Sequence, residues 1–286
     1  MDFGKVKTLL IIVFFALNLF LVDQWWTLQN AVGIYQEPYS DQLANVRRSL
    51  ASHHVLVKAI VPSGEPAVMT LLAASHMHDT FKAVAASALQ LQPSQVISYE
   101  VNAHEIRLPS AVFIETQSGV LQLVFSTYGK PTLSTRFPIL DQLKRWLALR
   151  AYHFGEYKFI RWEYMSGHQI AVFDQQMDGY CMFNAQLKVT LMNGRILGYS
   201  QKYISVIPVQ QPRSVISAAN ALLAVSLFMD KAQVNEDNTI RSVVLGYDSP
   251  IQLPKVWILT PVWWIQSDLG TFQVNAFTGE VGVGEN

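Results

Sequence analysis

One pattern constrains this chain more than any other: an amphipathic helical stripe followed by a run of short strands, written twice after residue 139. Leu140, Leu143, Leu147 and Ala151 recur at the three- and four-residue spacing of one helix face and stop near Gly155. Strands are then predicted at 159–164, 170–177, 187–192 and 195–206. Leu187, Val189 and Leu191 alternate with Lys188, Thr190 and Met192, so that strand has one buried and one wetter face. Asn193-Gly194 is the strongest hairpin signal, because both residues tolerate the positive φ of a type I′ turn. Pro208 and Pro212 close this set, and a second stripe follows at Ile216, Ala219, Leu223 and Leu227. Strands return at 239–247, 255–266 and 271–277, with Thr278-Gly279 in the place Asn193-Gly194 held. Helix plus antiparallel sheet, repeated, specifies an α+β fold and not a βαβ one.

The earlier part of the 286 residues is mixed α and β as well. Ser40 is placed to cap a helix carrying Leu43, Val46 and Leu50. Apolar runs at 54–61 and 67–74 flank Pro62-Ser63-Gly64-Glu65-Pro66, which predicts a hairpin. Phe81, Val84, Ala85, Ala88 and Leu91 form a helical stripe that Pro93 is expected to stop, and strands follow at 112–115 and 120–125 around Thr116-Gln117-Ser118-Gly119. Residues 126–138, with Gly129, Pro131 and Pro138, read as a connection. The expected organisation is two helix-plus-antiparallel-sheet domains, 27–130 and 131–286.

Ahead of them, residues 8–22 read TLLIIVFFALNLFLV, with Asn18 as the strongly polar exception. Val6 on one side and Trp25 and Trp26 on the other extend the run to a transmembrane helix at 6–26, close to the roughly 20 residues a bilayer needs. Lys5 and Lys7 suit one interface and the two tryptophans the other. No small-x-small cleavage site follows the run, which favours a retained anchor over a cleaved signal. The lysines before the span place residues 1–5 in the cytoplasm and the rest of the chain outside the cell membrane. Phe14, Asn18, Phe20, Trp25 and Trp26 are the candidate contacts of this span. Asn18 has two readings, a bond to another membrane helix or a bond to its own helix backbone.

Lysine plus arginine equal aspartate plus glutamate at 21 each, which argues against a nucleic-acid partner. Charged residues make up 15% of the chain, against about 25% in an ordinary soluble domain. The apolar run does not explain the deficit, because the fraction stays near 15% after the first 28 residues are set aside. The external domains therefore carry a low-charge surface suited to a protein partner. A single cysteine, Cys181, rules out an intramolecular disulfide and reads as a buried small hydrophobe.

A search for catalytic chemistry gives little. His76-x-His78-Asp79, with His53 and His54, is the sole cluster with any metal-ligand character, and no further spacing supports zinc. Gly282 and Gly284 have no helix after them, which excludes a dinucleotide loop. Asp174, Asp178 and Glu163 converge only if their strands align, and a turn at Asp178-Gly179 accounts for Asp178 without catalysis. No catalytic residue, cofactor or metal is expected. Trp257, Trp263, Trp264 and Tyr247 either pack a core or present a partner edge, and both hold if adjacent strand residues face opposite ways.

The motifs at 1–8, 18–21, 183–187, 194–203, 245–247 and 275–280 together resemble those of the YycI (WalI) family, related to YycH. The resemblance rests on Met1-Asp2-Phe3-Gly4-Lys5-Val6-Lys7-Thr8 and the span closing on Asn18-Leu19-Phe20-Leu21, with Phe3 where the family usually has tryptophan. It continues in Phe183-Asn184-Ala185-Gln186-Leu187, in the strand from Gly194 through Tyr199, Gln201 and Lys202 to Tyr203, in Leu245-Gly246-Tyr247, and in Asn275-Ala276-Phe277-Thr278-Gly279-Glu280. The matching positions Asn184, Gly194, Tyr199, Gln201, Tyr203, Gly246, Tyr247, Trp257, Asn275 and Gly279 are expected to be structural. The resemblance implies a PepSY-like build. It also implies an accessory regulator that works with a YycH-like protein on a WalK (YycG)-type sensor histidine kinase, through transmembrane and extracytoplasmic contacts, to tune cell-wall homeostasis. The competing reading is a membrane-anchored binding module for a cell-wall ligand or a peptidase.

Overall fold

The computed structural model describes residues 7, 11, 13–22, 38–75, 81–127, 129–232, 237–249 and 256–284. Trp25, Trp26, the cluster at His76, His78 and Asp79, and much of the 6–26 span lie outside them. Residues 13–22 are helical, and no helix among the described residues is long and apolar enough to cross a membrane.

The chain opens with α1 (Tyr39–Ser52), β1 (Val55–Val57), β2 (Ala67–Val68) and β3 (Leu71–Ser75). One plan then recurs three times, a helix followed by four antiparallel strands. The first unit has α2 (Phe81–Leu89) and the one-turn α3 (Pro93–Val96), then β4 (Glu100–Asn102), β5 (Glu105–Arg107), β6 (Ala111–Glu115) and β7 (Val120–Phe125). The second has α4 (Ile139–Ala148), β8 (Tyr157–Met165), β9 (His168–Met177), β10 (Tyr180–Met192) and β11 (Arg195–Lys202). After β12 (Ile204–Pro208) and β13 (Arg213–Ser214), the third has α5 (Ala218–Ala232), β14 (Asn238–Asp248), β15 (Val256–Ser267), β16 (Gly270–Asn275) and β17 (Val281–Gly284). The result is α+β and mostly sheet.

The units are stitched by their strands. β7 pairs antiparallel with β11, joining the first meander to the second. β10 is long enough to serve two partners. Its far half pairs with β11, while Cys181 and Met182 at its start pair in parallel with Gly246 and Tyr247 of β14. A register shift between Met182 and Gln186 bends β10 between the part that pairs with β14 and the part that pairs with β11, as a bulge does, so one 15-stranded sheet runs through all three units. β3 sits between β12 and the first half of β15.

Helices cover one face of these sheets. Phe81, Val84, Ala85 and Ala88 of α2 and Leu143 and Leu147 of α4 share a core with Phe113, Leu123, Phe173, Leu187 and Val189. Val46 and Leu50 of α1 and Leu222, Val225 and Met229 of α5 pack on Ile240, Trp263, Ile265 and Val274. Each fully buried Leu or Val contributes about 1.5–3 kcal/mol. Both cores take residues from before and after 126–138. That segment lies along the β10–β11 hairpin, where Leu133 N–H donates to Gly194 O at 2.8 Å. The hairpin itself has Asn193 at φ 51° and Gly194 at φ 72°, the left-handed pair that a type I′ turn needs.

Four local expectations are corrected. Pro62–Pro66 does not join a hairpin: β1 pairs with β14, where Lys58 and Ala59 N–H also donate to Ile240 O, and β2 pairs with β13, so the two runs' backbone groups are taken by other strands. Pro93 starts α3 instead of merely stopping α2, since a helix's first position needs no donor, and Gln92 N–H donates to Gln95 Oε1 at 2.9 Å as half of a capping box. Ser40 lies inside α1 and its hydroxyl meets Asp41, not a backbone N–H. The buried stripe of α5 is Ala218, Leu222, Val225 and Met229, whereas Leu227 is 55% exposed. That helix is apolar on most faces, and the small residues decide which side α1 approaches, with the Ser49 and Ser226 hydroxyls 2.9 Å apart.

Candidate recognition cleft

The residues that alternate with the core set face away from the helices. At the joint of the second and third units they line a cleft of about 500 Å³. One wall comes from β8, β9 and β10: Arg161, Glu163, Asp174, Gln186 and Lys188. The other comes from β14, β15 and β16: Ser242, Val244, Gln266 and Thr271. Phe183 and Trp264 lie between them, ring centroids 4.4 Å apart. Phe183 sits at the β10 bulge and crosses Gly246, where a Cβ would lie 2.7 Å from its ring and 2.5 Å from Cys181 O. Trp263, the adjacent residue, points into the helical core and donates its indole N–H to Ile216 O at 2.9 Å.

The charged wall is organised by strand pairing. Asp174 is in register with Lys158 on β8 and with Gln186 on β10, and Gln186 Nε2 donates to Asp174 Oδ1 at 2.9 Å. Burial pushes the Asp174 carboxyl up to about 6, opposed by the Gln186 bond and by Arg161 and Lys188, while Glu163 adds to the rise. Arg161 Nε donates to Glu163 Oε1 at 2.8 Å. Burial also raises the Cys181 thiol, which accepts from Gln176 Nε2 at 3.3 Å. The cleft thus combines an aromatic floor, one neutral polar wall and one charged wall.

Asp174 and Glu163 do converge here, while Asp178, with φ 51°, forms the β9–β10 turn with Gly179. Asn184 hydrogen-bonds the buried Asp248 carboxyl at the back of the bulge, which opposes the rise that burial gives Asp248. Tyr247 packs edge-on to Tyr180, and the Lys202 ammonium lies 4.2 Å from the centre of the Trp257 ring. The other motif residues hold the scaffold. Buried Gln201 accepts from Tyr152 N–H at 2.9 Å, Tyr199 donates to Arg150 O at 3.2 Å, and Tyr203 donates to Glu156 Oε1 at 3.2 Å. Asn275 Oδ1 accepts from Phe277 and Thr278 N–H in the turn where Gly279 takes φ 76°. Asn18 donates to Phe14 O at 2.8 Å within its own helix, and Phe14 and Phe20 are exposed. Sequence reading did not single out Phe183, Gln186, Lys188, Arg161 or Ser242 as lining one cleft. Their strand alternation marks them as the wet face, but which wet residues meet depends on pairing between units. Among the described residues, no group of three or more His, Cys, Asp or Glu side chains could hold a metal.

These features define an α+β protein of repeated helix-and-meander units with a cleft at their joint. The YycI protein family model matches residues 36–277, and the chain belongs to that family. Its members are regulatory accessory proteins, so the chain has a role in regulating the WalK/YycG two-component system. No curated protein matches the chain. Among solved structures, an uncharacterized protein from Eubacterium rectale aligns with TM-score 0.54 at 9% identity over 88% of this chain and all of its own, a likeness of fold alone. The Bacillus megaterium YpeB C-terminal domain aligns with TM-score 0.36 at 15% identity over 74% of this chain and all of its own.

Proposed function

We propose that the chain is a single-pass, membrane-anchored accessory regulator of a WalK-type sensor kinase, acting with a YycH-like protein to tune cell-wall homeostasis signalling. Its amino terminus is cytoplasmic, its sheets lie outside the membrane, and the cleft between the second and third units contacts a partner. The observation that carries this reading is the family match over 36–277, the part of the chain that contains both walls of the cleft. The apolar run at 8–22 supports the anchor. Regulation requires that the protein contact one signalling state of the kinase better than the other, since equal affinity shifts nothing. Affinity purification of the tagged full chain after detergent extraction is expected to recover the sensor kinase and a YycH-like protein. Recovery of neither removes the reading.

A further inference from the structure

The two walls of the cleft differ in charge, and that difference selects an occupant. The β14–β16 wall has no ionisable side chain among its lining residues Ser242, Val244, Trp264, Gln266 and Thr271. On the β8–β10 wall the Arg161 guanidinium is spent on Glu163. Lys188 of β10 then remains, with Lys158 of β8 beside the cleft in cross-strand register with Asp174. Against these two ammonium groups stands Asp174, 2% exposed, and besides the Arg161–Glu163 pair the remaining titratable lining group is Cys181.

We propose that the cleft binds an extended acidic segment of a protein partner, its carboxylates facing Lys188 and Lys158 and an apolar side chain resting on Phe183 and Trp264. This rests on the cleft being the partner-contact site. Two strand-built walls flanking a floor suit an extended backbone, and the aromatic pair provides the apolar anchor that interfaces concentrate at their centre. The electrostatics make the site sensitive to acidity. With its carboxyl at about 6, Asp174 is largely neutral in mild acid, which leaves the lysines unopposed, and largely charged above neutrality. An arriving carboxylate holds the proton on Asp174 more tightly, so affinity falls as pH rises through 6.

The test is calorimetry on the full chain in detergent, titrated with a capped peptide alternating glutamate and phenylalanine and with its lysine counterpart. The acidic peptide should bind, roughly tenfold more weakly at pH 8 than at pH 5, and the basic one should bind less tightly at both. Asp174→Asn keeps an oxygen for Gln186 and mimics the neutral acid. It should bind the acidic peptide at pH 8 as the unaltered protein does at pH 5, and Lys188→Glu should weaken binding roughly tenfold. Preference for the basic peptide, pH dependence that survives Asp174→Asn, or displacement by muramyl dipeptide at lower concentration than by the acidic peptide overturns the proposal. The synthetic probe separates this claim from the kinase reading. Kinase recovery without peptide binding sinks the acidic-segment claim alone. Peptide binding without kinase recovery supports the claim and removes the kinase as the segment's owner.

Discussion

Phe183 and Trp264 meet with ring centroids 4.4 Å apart and planes tilted 31° to each other, one from the second unit's strands and one from the third's within a single continuous sheet. Their contact depends on Gly246. A Cβ there would stand 2.5 Å from Cys181 O, a backbone atom held by strand pairing that has no room to retreat. Gly246→Ala should therefore lower stability by about 1–3 kcal/mol and pull the β10–β14 junction apart. Thermal melts check the first effect, and loss of the Phe183–Trp264 ring-current shifts in NMR checks the second.

Asp174 gives the fold its own pH dependence. Its folded value, about 6, lies above the 3.8 of a free aspartate, so between those values the folded chain binds a proton that the unfolded chain releases. Stability from this group is fully present below pH 4 and is lost as pH rises through 6. Asp174→Asn should stabilise the protein at pH 7.5 by up to about 3 kcal/mol and flatten that part of the curve. Urea titrations at pH 4.5 and 7.5 measure both. An unchanged slope would mean that Asp174 is not desolvated.

Gln201 anchors the loop after α4. Its side chain lies fully buried on β11, accepts from Tyr152 N–H at 2.9 Å and donates back to Tyr152 O. Gln201→Leu keeps the bulk but leaves both backbone groups without partners, at about 1–3 kcal/mol each. The expected result is a lowered melting temperature together with faster amide exchange at Tyr152.

Asn18 satisfies its amide on Phe14 O, four residues back in the same helix. Asn18→Leu should accordingly leave recovery of the kinase and the YycH-like protein within about twofold of the unaltered chain. A larger loss, read by quantitative immunoblot, would assign Asn18 to a contact with a neighbouring helix.

The second and third units were legible because their signals are local. Leu143 and Leu147 set one helix face, Leu187, Val189 and Leu191 alternate cleanly into a core, and Asn193-Gly194 fixes a hairpin because both residues tolerate left-handed backbone angles, as Asp178-Gly179 does in the preceding turn. The opposite orientations of Trp263 and Trp264 followed from strand alternation alone. Pairing between distant segments was not legible. Nothing in 55–61 or 67–74 tells β1 to seek β14 or β3 to enter between β12 and β15, since those choices are settled by which edges the finished sheets leave open. The cleft was hidden for the same reason: Asp174 and Glu163 are readable as wet-face residues, but Trp264 joins them across the β10–β14 seam. The α5 face was misread because a helix rich in alanine and leucine has no single stripe to read.

Site-specific photo-crosslinking in cells tests the central claim most directly. Ile160 lines the cleft and Leu227 stands exposed on the outer side of α5, so a photoreactive phenylalanine analogue at each samples opposite faces of the protein. Immunoblots should show the sensor kinase or the YycH-like protein captured from Ile160 and not from Leu227. Capture from Leu227 alone, with both partners still co-purifying, would contradict the account by placing the regulatory contact on the helical face.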